Sequence, residues 1–171
     1  ESLKIHNPDY EFVVGLCDKI EGSGVDVLKL KNFNILEVHN IGIDGFAEMC
    51  DRYDITELNT AVKPFYIDYF FRTRPDINSV LYIDPDIEFF DKLTGIEQGL
   101  DDHNIVLTPH FYTPIFDNYS RTEQQMFVNG IYNLGFLAVK RSAETDKFMH
   151  WWMTKLKTEC YMDIQNGMFV D

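Results

Sequence analysis

Short apolar runs alternate with longer stretches of helical spacing along this chain, and no evenly spaced ladder of short strands appears. That pattern predicts an α/β domain with a mostly parallel sheet flanked by helices. Residues 10–17 contain Phe12-Val-Val-Gly-Leu-Cys17, apolar on both faces, as expected of a strand covered by helices. Gly22-Ser-Gly24 reads as a loop, 35–41 as a second strand, and Asp44 as the cap of a helix ending near Arg52. Ile55, Leu58, Val62, Phe65 and Tyr69 keep helical spacing, with Pro64 either kinking that helix or starting a new one. A short apolar strand over 78–83 breaks at Asp84-Pro85-Asp86. Further on, 91–100 and 120–126 read as helices, 105–107 and 131–139 as strands, with Asn129-Gly130 between them. Ser142 should cap an amphipathic helix in which Phe148, Trp152 and Leu156 lie four apart, with Trp151 beside them.

No linker or repeat divides the 171 residues, and with 45% apolar residues the chain can bury one sizeable core, so 1–171 is read as a single domain. Both ends look cut: the chain starts at Glu1 in what resembles the tail of a helix and stops at Asp171 after an apolar pair. Composition narrows the partners. With 15 Lys and Arg against 28 Asp and Glu, the formal net charge is -13, and no basic cluster exists to hold a nucleic-acid backbone. A phosphorylated ligand would need a local source of positive charge, and a bound cation is the natural one. Cys17, Cys50 and Cys160 have neither zinc-site nor redox spacing and read as reduced core thiols. No apolar stretch approaches the roughly 20 residues that span a bilayer, and no signal-peptide pattern is present. These features read as a cytoplasmic protein, one that can still work at the inner face of the membrane.

Candidate chemistry concentrates at Asp84-Pro85-Asp86. In an extended segment Asp84, Asp86 and Glu88 would share one face and Ile83, Pro85 and Ile87 the other. Converging carboxylates repel unless a cation or shared proton relieves them, and oxygen-only donors suit Mg²⁺ or Mn²⁺. An Asp-x-Asp triplet alone is commonly a surface turn. Here an apolar strand leads straight into it, and in open α/β sheets ligands bind outside the carboxyl ends of strands.

Thr60-Ala-Val-Lys-Pro64, Val80-Leu-Tyr-Ile-Asp-Pro-Asp86, Leu107-Thr-Pro-His110 and Gly130-Ile-Tyr-Asn-Leu-Gly-Phe136 follow one another in order. Together they resemble a bacterial glycosyltransferase of the GT-A fold, a glycogenin-like, Rossmann-like nucleotide-diphospho-sugar transferase, over residues 7–171. The resemblance implies a metal-dependent enzyme that moves a hexose from a nucleoside-diphosphate sugar, a UDP-sugar first among them, to a saccharide acceptor, as in surface polysaccharide synthesis. It also implies that the fold's first strand and its C-terminal part, including a late metal-binding histidine, lie outside this chain. Asp84 and Asp86 resemble the DxD metal and diphosphate ligands. Lys63 matches a basic position near the donor, against the alternative of a solvated helix lysine. Asn133 and Gly135 resemble the Asn-x-Gly segment lining the sugar pocket, against a plain turn or bulge. Asp171 matches the first residue of an Asp-Gln pair near the transferred sugar, and with Asn133 it is the catalytic candidate.

Two other features favour structural roles. His110 could be a third metal ligand, although a lone histidine after a strand is more often a hydrogen-bonded structural residue. Trp151 and Trp152 could stack on a sugar, but their spacing favours core packing. Two alternatives accompany the transferase: a non-catalytic nucleotide or carbohydrate-binding module of the same fold, and a sugar-phosphate nucleotidyltransferase, for which a Gly-rich phosphate loop is not visible.

Overall fold

The computed structural model describes residues 1–170 apart from Asn118, Arg121, Asn129 and Gly167; Asp171 lies outside the described residues. The side chains of Phe127, Val128, Ile164, Met168 and Phe169 are likewise outside them. The chain is a mixed α/β protein. Helix α1 (Ser2–His6) leads to strand β1 (Val14–Leu16), helix α2 (Val27–Leu30) and strand β2 (Ile35–Glu37). Helices α3 (Phe46–Arg52), α4 (Ile55–Ala61) and α5 (Lys63–Thr73) then precede strand β3 (Ser79–Ile83). Helix α6 (Thr94–Asp102), strand β4 (Ile105–Pro109), helix α7 (Glu123–Val128), strand β5 (Tyr132–Lys140) and helix α8 (Ala143–Leu156) complete the main body, and a small hairpin of β6 (Met162–Asp163) and β7 (Met168–Phe169) follows.

The expected mostly parallel sheet is not what forms. Among the described residues parallel pairing is confined to β1 and β2, over Val14↔Ile35, Gly15↔Leu36 and Leu16↔Glu37. The other main sheet has the order β3-β5-β4, with β5 antiparallel to both neighbours. The cause is the β4–β5 connection. Backbone pairing continues past the end of β4, where His110 N–H donates to the Ile131 carbonyl (3.0 Å). The connection therefore returns at the end of the sheet where β4 finished, and β5 has to run back the other way. A parallel strand would have needed a crossover to the opposite end.

Local signals fare better. Asp54 begins α4 with a capping box, accepting from Thr56 N–H and Glu57 N–H while Glu57 accepts from Asp54 N–H. Pro64 occupies the first turn of α5, so it starts a new helix rather than kinking an old one. Ser142 caps α8 by accepting from Thr145 N–H at 3.0 Å. Thr122, not Ser120, opens α7, through reciprocal bonds with Gln125. Asp44 caps nothing: α3 begins after Gly45, whose φ of 77° favours glycine, and the exposed Asp44 carboxylate lies 3.5 Å from Lys157 Nζ. The second strand stops at Glu37 because Val38–Asn40 turns into a 3₁₀ helix.

Helix α5 is the centre of the molecule. Lys63 to Ile67 and Phe71 are buried, and the helix packs on β3 and α8. Its Tyr66 ring fills the space left by Gly15, where a Cβ would come within 3.1 Å of the ring. The Tyr66 hydroxyl lies within hydrogen-bond reach of the Leu16 (2.9 Å) and Leu36 (3.2 Å) carbonyls, and burial pushes its pKa up. Trp152, Leu156 and Met149 of α8 join this core, as do Leu137 and Val139 of β5. Trp151, expected inside, is 56% exposed. Of the cysteines, Cys160 is buried as expected, Cys17 half-buried and Cys50 exposed.

Arg141, directly after β5, ties α5 to the sheet. Its guanidinium donates to the carbonyls of Phe71 (3.0 Å), Arg74 (3.1 Å) and Ile77 (3.2 Å) and lies 4.7 Å from the Phe71 ring centroid. The Phe71 carbonyl lies in the last turn of α5, where helical partners run out, and the Arg74 carbonyl also accepts from Ile77 N–H (3.2 Å). Arg141→Met is expected to lower unfolding free energy in urea by about 2 kcal/mol. Arg141→Lys should recover less than half of that, since an ammonium cannot span three carbonyls.

Candidate functional site around Asp84

Strand β3 delivers Asp84 to its carboxyl end. The antiparallel register pairs Ile83 with Phe136, and one step further Asp84 N–H donates to the Gly135 carbonyl at 2.7 Å. The following residues do not stay extended. Ile87 N–H reaches back to the Asp84 carbonyl (3.3 Å), so Asp84-Pro85-Asp86-Ile87 is a turn. This corrects the expected two-faced alternation: Ile87 lines the same pocket as Asp84 and Asp86, and Glu88 is exposed.

The opposite wall comes from a β-bulge. Leu107 of β4 faces Leu137, but the next residue, Thr108, faces Asn133, so Leu134, Gly135 and Phe136 have no partner on β4. Strand β5 keeps its ladder with β3 and swells away from β4, a distortion common beside functional sites. Asn133 is therefore exposed rather than enclosed in an apolar strand, and its side-chain oxygen accepts from Gly135 N–H at 2.8 Å. The bulge considered as a bland alternative is present, and it is what shapes the site.

Asp84, Asp86, Ile87, Thr108, Asn133, Gly135 and Phe136 line an open pocket of about 360 Å³, toward the small end of ligand pockets. Gly135 is its floor. A Cβ there would sit 2.9 Å from Asn133 Oδ1 and 3.0 Å from Asp84 Oδ2. Lys63 comes in from the start of α5 with its side chain only 7% exposed, so the solvated-lysine alternative is excluded. Its Nζ lies 3.9 Å from Asp84 Oδ1, 3.4 Å from the Leu134 carbonyl and 5.1 Å from the Tyr82 ring centroid. Tyr82 donates its hydroxyl to Asp84 Oδ1 at 2.5 Å.

Lys63, Asp84, Asp86, Asn133 and Gly135 thus come together, and Asp171 lies outside the described residues. His110 is not among the pocket's lining residues, and Trp152 is in the core. Tyr82 was missed in the sequence, although strand periodicity places it on the same face as Asp84. Among the described residues no group of three or more His, Cys, Asp and Glu side chains gathers around a point. A divalent ion nevertheless suits the donors present: carboxylates of Asp84 and Asp86, oxygen only, beside the bare face of Gly135. Mg²⁺-type sites commonly use one or two carboxylates and fill the rest with water and phosphate oxygens.

The β4–β5 connection leaves and re-enters at the rim, next to Thr108 and Asn133. It displays Tyr112, Phe116 and Tyr119, all strongly exposed. Asp117 shapes this stretch by accepting from Ser120 N–H, Tyr119 N–H and the Ser120 hydroxyl, bonds that hold its carboxyl below the usual range.

Comparison with known proteins gives a sparse result. The chain is similar to YfnF of Bacillus subtilis (strain 168), described as an uncharacterized protein, with 24% identity over 172 residues. The match covers all of this chain and 56% of YfnF, so the chain spans a little over half the length of that relative. No protein-family profile matches the chain, and no solved structure matches it. No helix among the described residues is long and apolar enough to cross a membrane.

Proposed function

We propose that this chain carries the donor site of a metal-dependent glycosyltransferase with a GT-A-like arrangement, moving a hexose from a nucleoside-diphosphate sugar, a UDP-sugar first among them, to a saccharide acceptor. The observation that carries the reading is one pocket at the carboxyl end of β3 in which Asp84, Asp86, Asn133 and Gly135 meet above a buried Lys63. Asp84 and Asp86 would hold Mn²⁺ or Mg²⁺, which supplies Lewis-acid stabilisation of the charge developing on a departing nucleoside diphosphate. Lys63 adds a fixed positive charge from a buried position behind Asp84, where electrostatic effects are stronger than in water. Asn133 accepts from Gly135 through its oxygen and offers its amide NH₂ to a sugar hydroxyl. Gly135, without a side chain, lets a ligand approach the backbone. The exposed Tyr112, Phe116 and Tyr119 of the β4–β5 connection offer aromatic faces of the kind that stack on a sugar.

The test is thermal stability of the intact protein with UDP, GDP, CDP or ADP, each with and without Mn²⁺, repeated on Asp84→Ala and Asp86→Ala. Saturation at 100 times the dissociation constant adds about 2.7 kcal/mol. The reading expects a rise in Tm that needs both Mn²⁺ and one nucleotide, is lost in either variant, and is accompanied by slow hydrolysis of the matching nucleotide sugar. Binding without hydrolysis or transfer would indicate a recognition module instead. No rise with any pair would overturn the donor site.

A further inference from the structure

The two oxygens of Asp84 have different surroundings. Oδ1 accepts the Tyr82 hydroxyl at 2.5 Å and lies 3.9 Å from Lys63 Nζ, both from inside the protein. Oδ2 stands over Gly135, 3.0 Å from the point a Cβ would occupy, and both residues line the pocket. The Tyr82 ring lies 5.1 Å from the buried Lys63 ammonium, a cation–π contact that helps fix the ring and therefore the hydroxyl. Asp84 N–H bonded to the Gly135 carbonyl holds the backbone, so the carboxylate is constrained at both ends.

We propose that Tyr82 is a positioning residue that commits Oδ1 of Asp84 to the protein, so that Asp84 offers a cation in the pocket one oxygen, Oδ2. This rests on the reading of the pocket as a divalent-cation site. The arrangement has a chemical consequence. A carboxylate locked to one-oxygen binding occupies a single coordination position, leaving more of them for water and diphosphate oxygens than a two-oxygen carboxylate would. That favours a small octahedral ion over Ca²⁺, which accepts two-oxygen carboxylates readily. Partners that orient a ligating group typically change metal affinity by roughly 10- to 100-fold when removed.

Free Mn²⁺, followed by its electron paramagnetic resonance signal during titration of the intact protein, reads affinity without activity. Tyr82→Phe keeps the ring and removes only the hydroxyl. It is expected to weaken Mn²⁺ binding by roughly 10- to 100-fold while Tm without metal stays within a few degrees of wild type, and to narrow the preference for Mn²⁺ over Ca²⁺. The inference is overturned if wild type binds Mn²⁺, Asp84→Asn does not, and Tyr82→Phe binds within twofold of wild type. A crystal structure of the wild-type protein with Mn²⁺ gives an answer that does not depend on the variant folding. Oδ2 alone on the ion, with the Tyr82 hydroxyl still on Oδ1, is the expected result; both oxygens on the ion would overturn it. Failure of the cation-site reading looks different, because wild type itself would then leave the Mn²⁺ signal unchanged, and the inference would fall with it.

Discussion

Gly135→Ala is expected to weaken Mn²⁺-dependent nucleotide binding by about 100-fold while lowering the stability of the unliganded protein by only about 1–2 kcal/mol. The asymmetry follows from what the new methyl group meets. It would lie 2.9 Å from Asn133 Oδ1 and 3.0 Å from Asp84 Oδ2, closer than ordinary packing allows. Both are the ends of side chains, so they can rotate aside without moving the backbone, at the cost of the Tyr82 hydroxyl bond that holds Asp84. Those rotations take Asp84 Oδ2 out of the pocket and break the bond from Gly135 N–H to Asn133, so the cost appears in ligand binding. Isothermal titration with the nucleotide selected by thermal shift, in Mn²⁺, alongside urea unfolding of the same preparations, separates the two effects. Equal affinity for variant and wild type would remove Gly135 and Asp84 Oδ2 from the site.

Trp152→Ala should be the most damaging single truncation in the core, lowering stability by about 3–5 kcal/mol, or roughly 10 °C in Tm for a domain of this size. Trp152 is 5% exposed, joins the core cluster where α8 meets α5, and stacks on Phe148 with ring centroids 5.6 Å apart. Its neighbour in sequence supplies the control. Trp151 is 56% exposed and meets Phe148 only at a tilted 6.0 Å, so Trp151→Ala should change stability by less than about 1 kcal/mol. Urea unfolding followed by far-ultraviolet circular dichroism measures both variants without depending on the tryptophans as probes. A loss in Trp151→Ala as large as that in Trp152→Ala would mean that the outer face of α8 is covered.

The contrast between the two tryptophans shows where local pattern stops being sufficient. Spacing along α8 identified the face containing Phe148, Trp152 and Leu156, but Trp151 lies about 100° around the helix and remains exposed. The same boundary runs through the site. An apolar strand ending in Asp84-Pro85-Asp86 was legible because the signal is contiguous. Asn133 and Gly135 were marked as pocket residues only through resemblance, and their meeting with the Asp84 segment appears only in the structure. The extended reading past Asp84 failed because a proline turn folds the segment back and brings Ile87 to the pocket with Asp86. Lys63 could not be separated from a surface lysine, since its burial depends on α5 lying at the centre of the molecule.

By itself the sequence determined the α/β character, the capped start of α8, the helical spacing over 55–69 and the acidic end of β3. Each rests on residues within a turn or two of one another, whose preferences act before any distant contact forms. Only the tertiary structure decided that β5 runs antiparallel between β3 and β4, that it bulges at 134–136, that Arg141 closes the end of α5, and that Tyr82 and Lys63 converge on one oxygen of Asp84. Strand direction and register are set by which surfaces can be buried together across long stretches of chain. The orientation of the Asp84 carboxylate is set by groups that meet only after that burial has taken place.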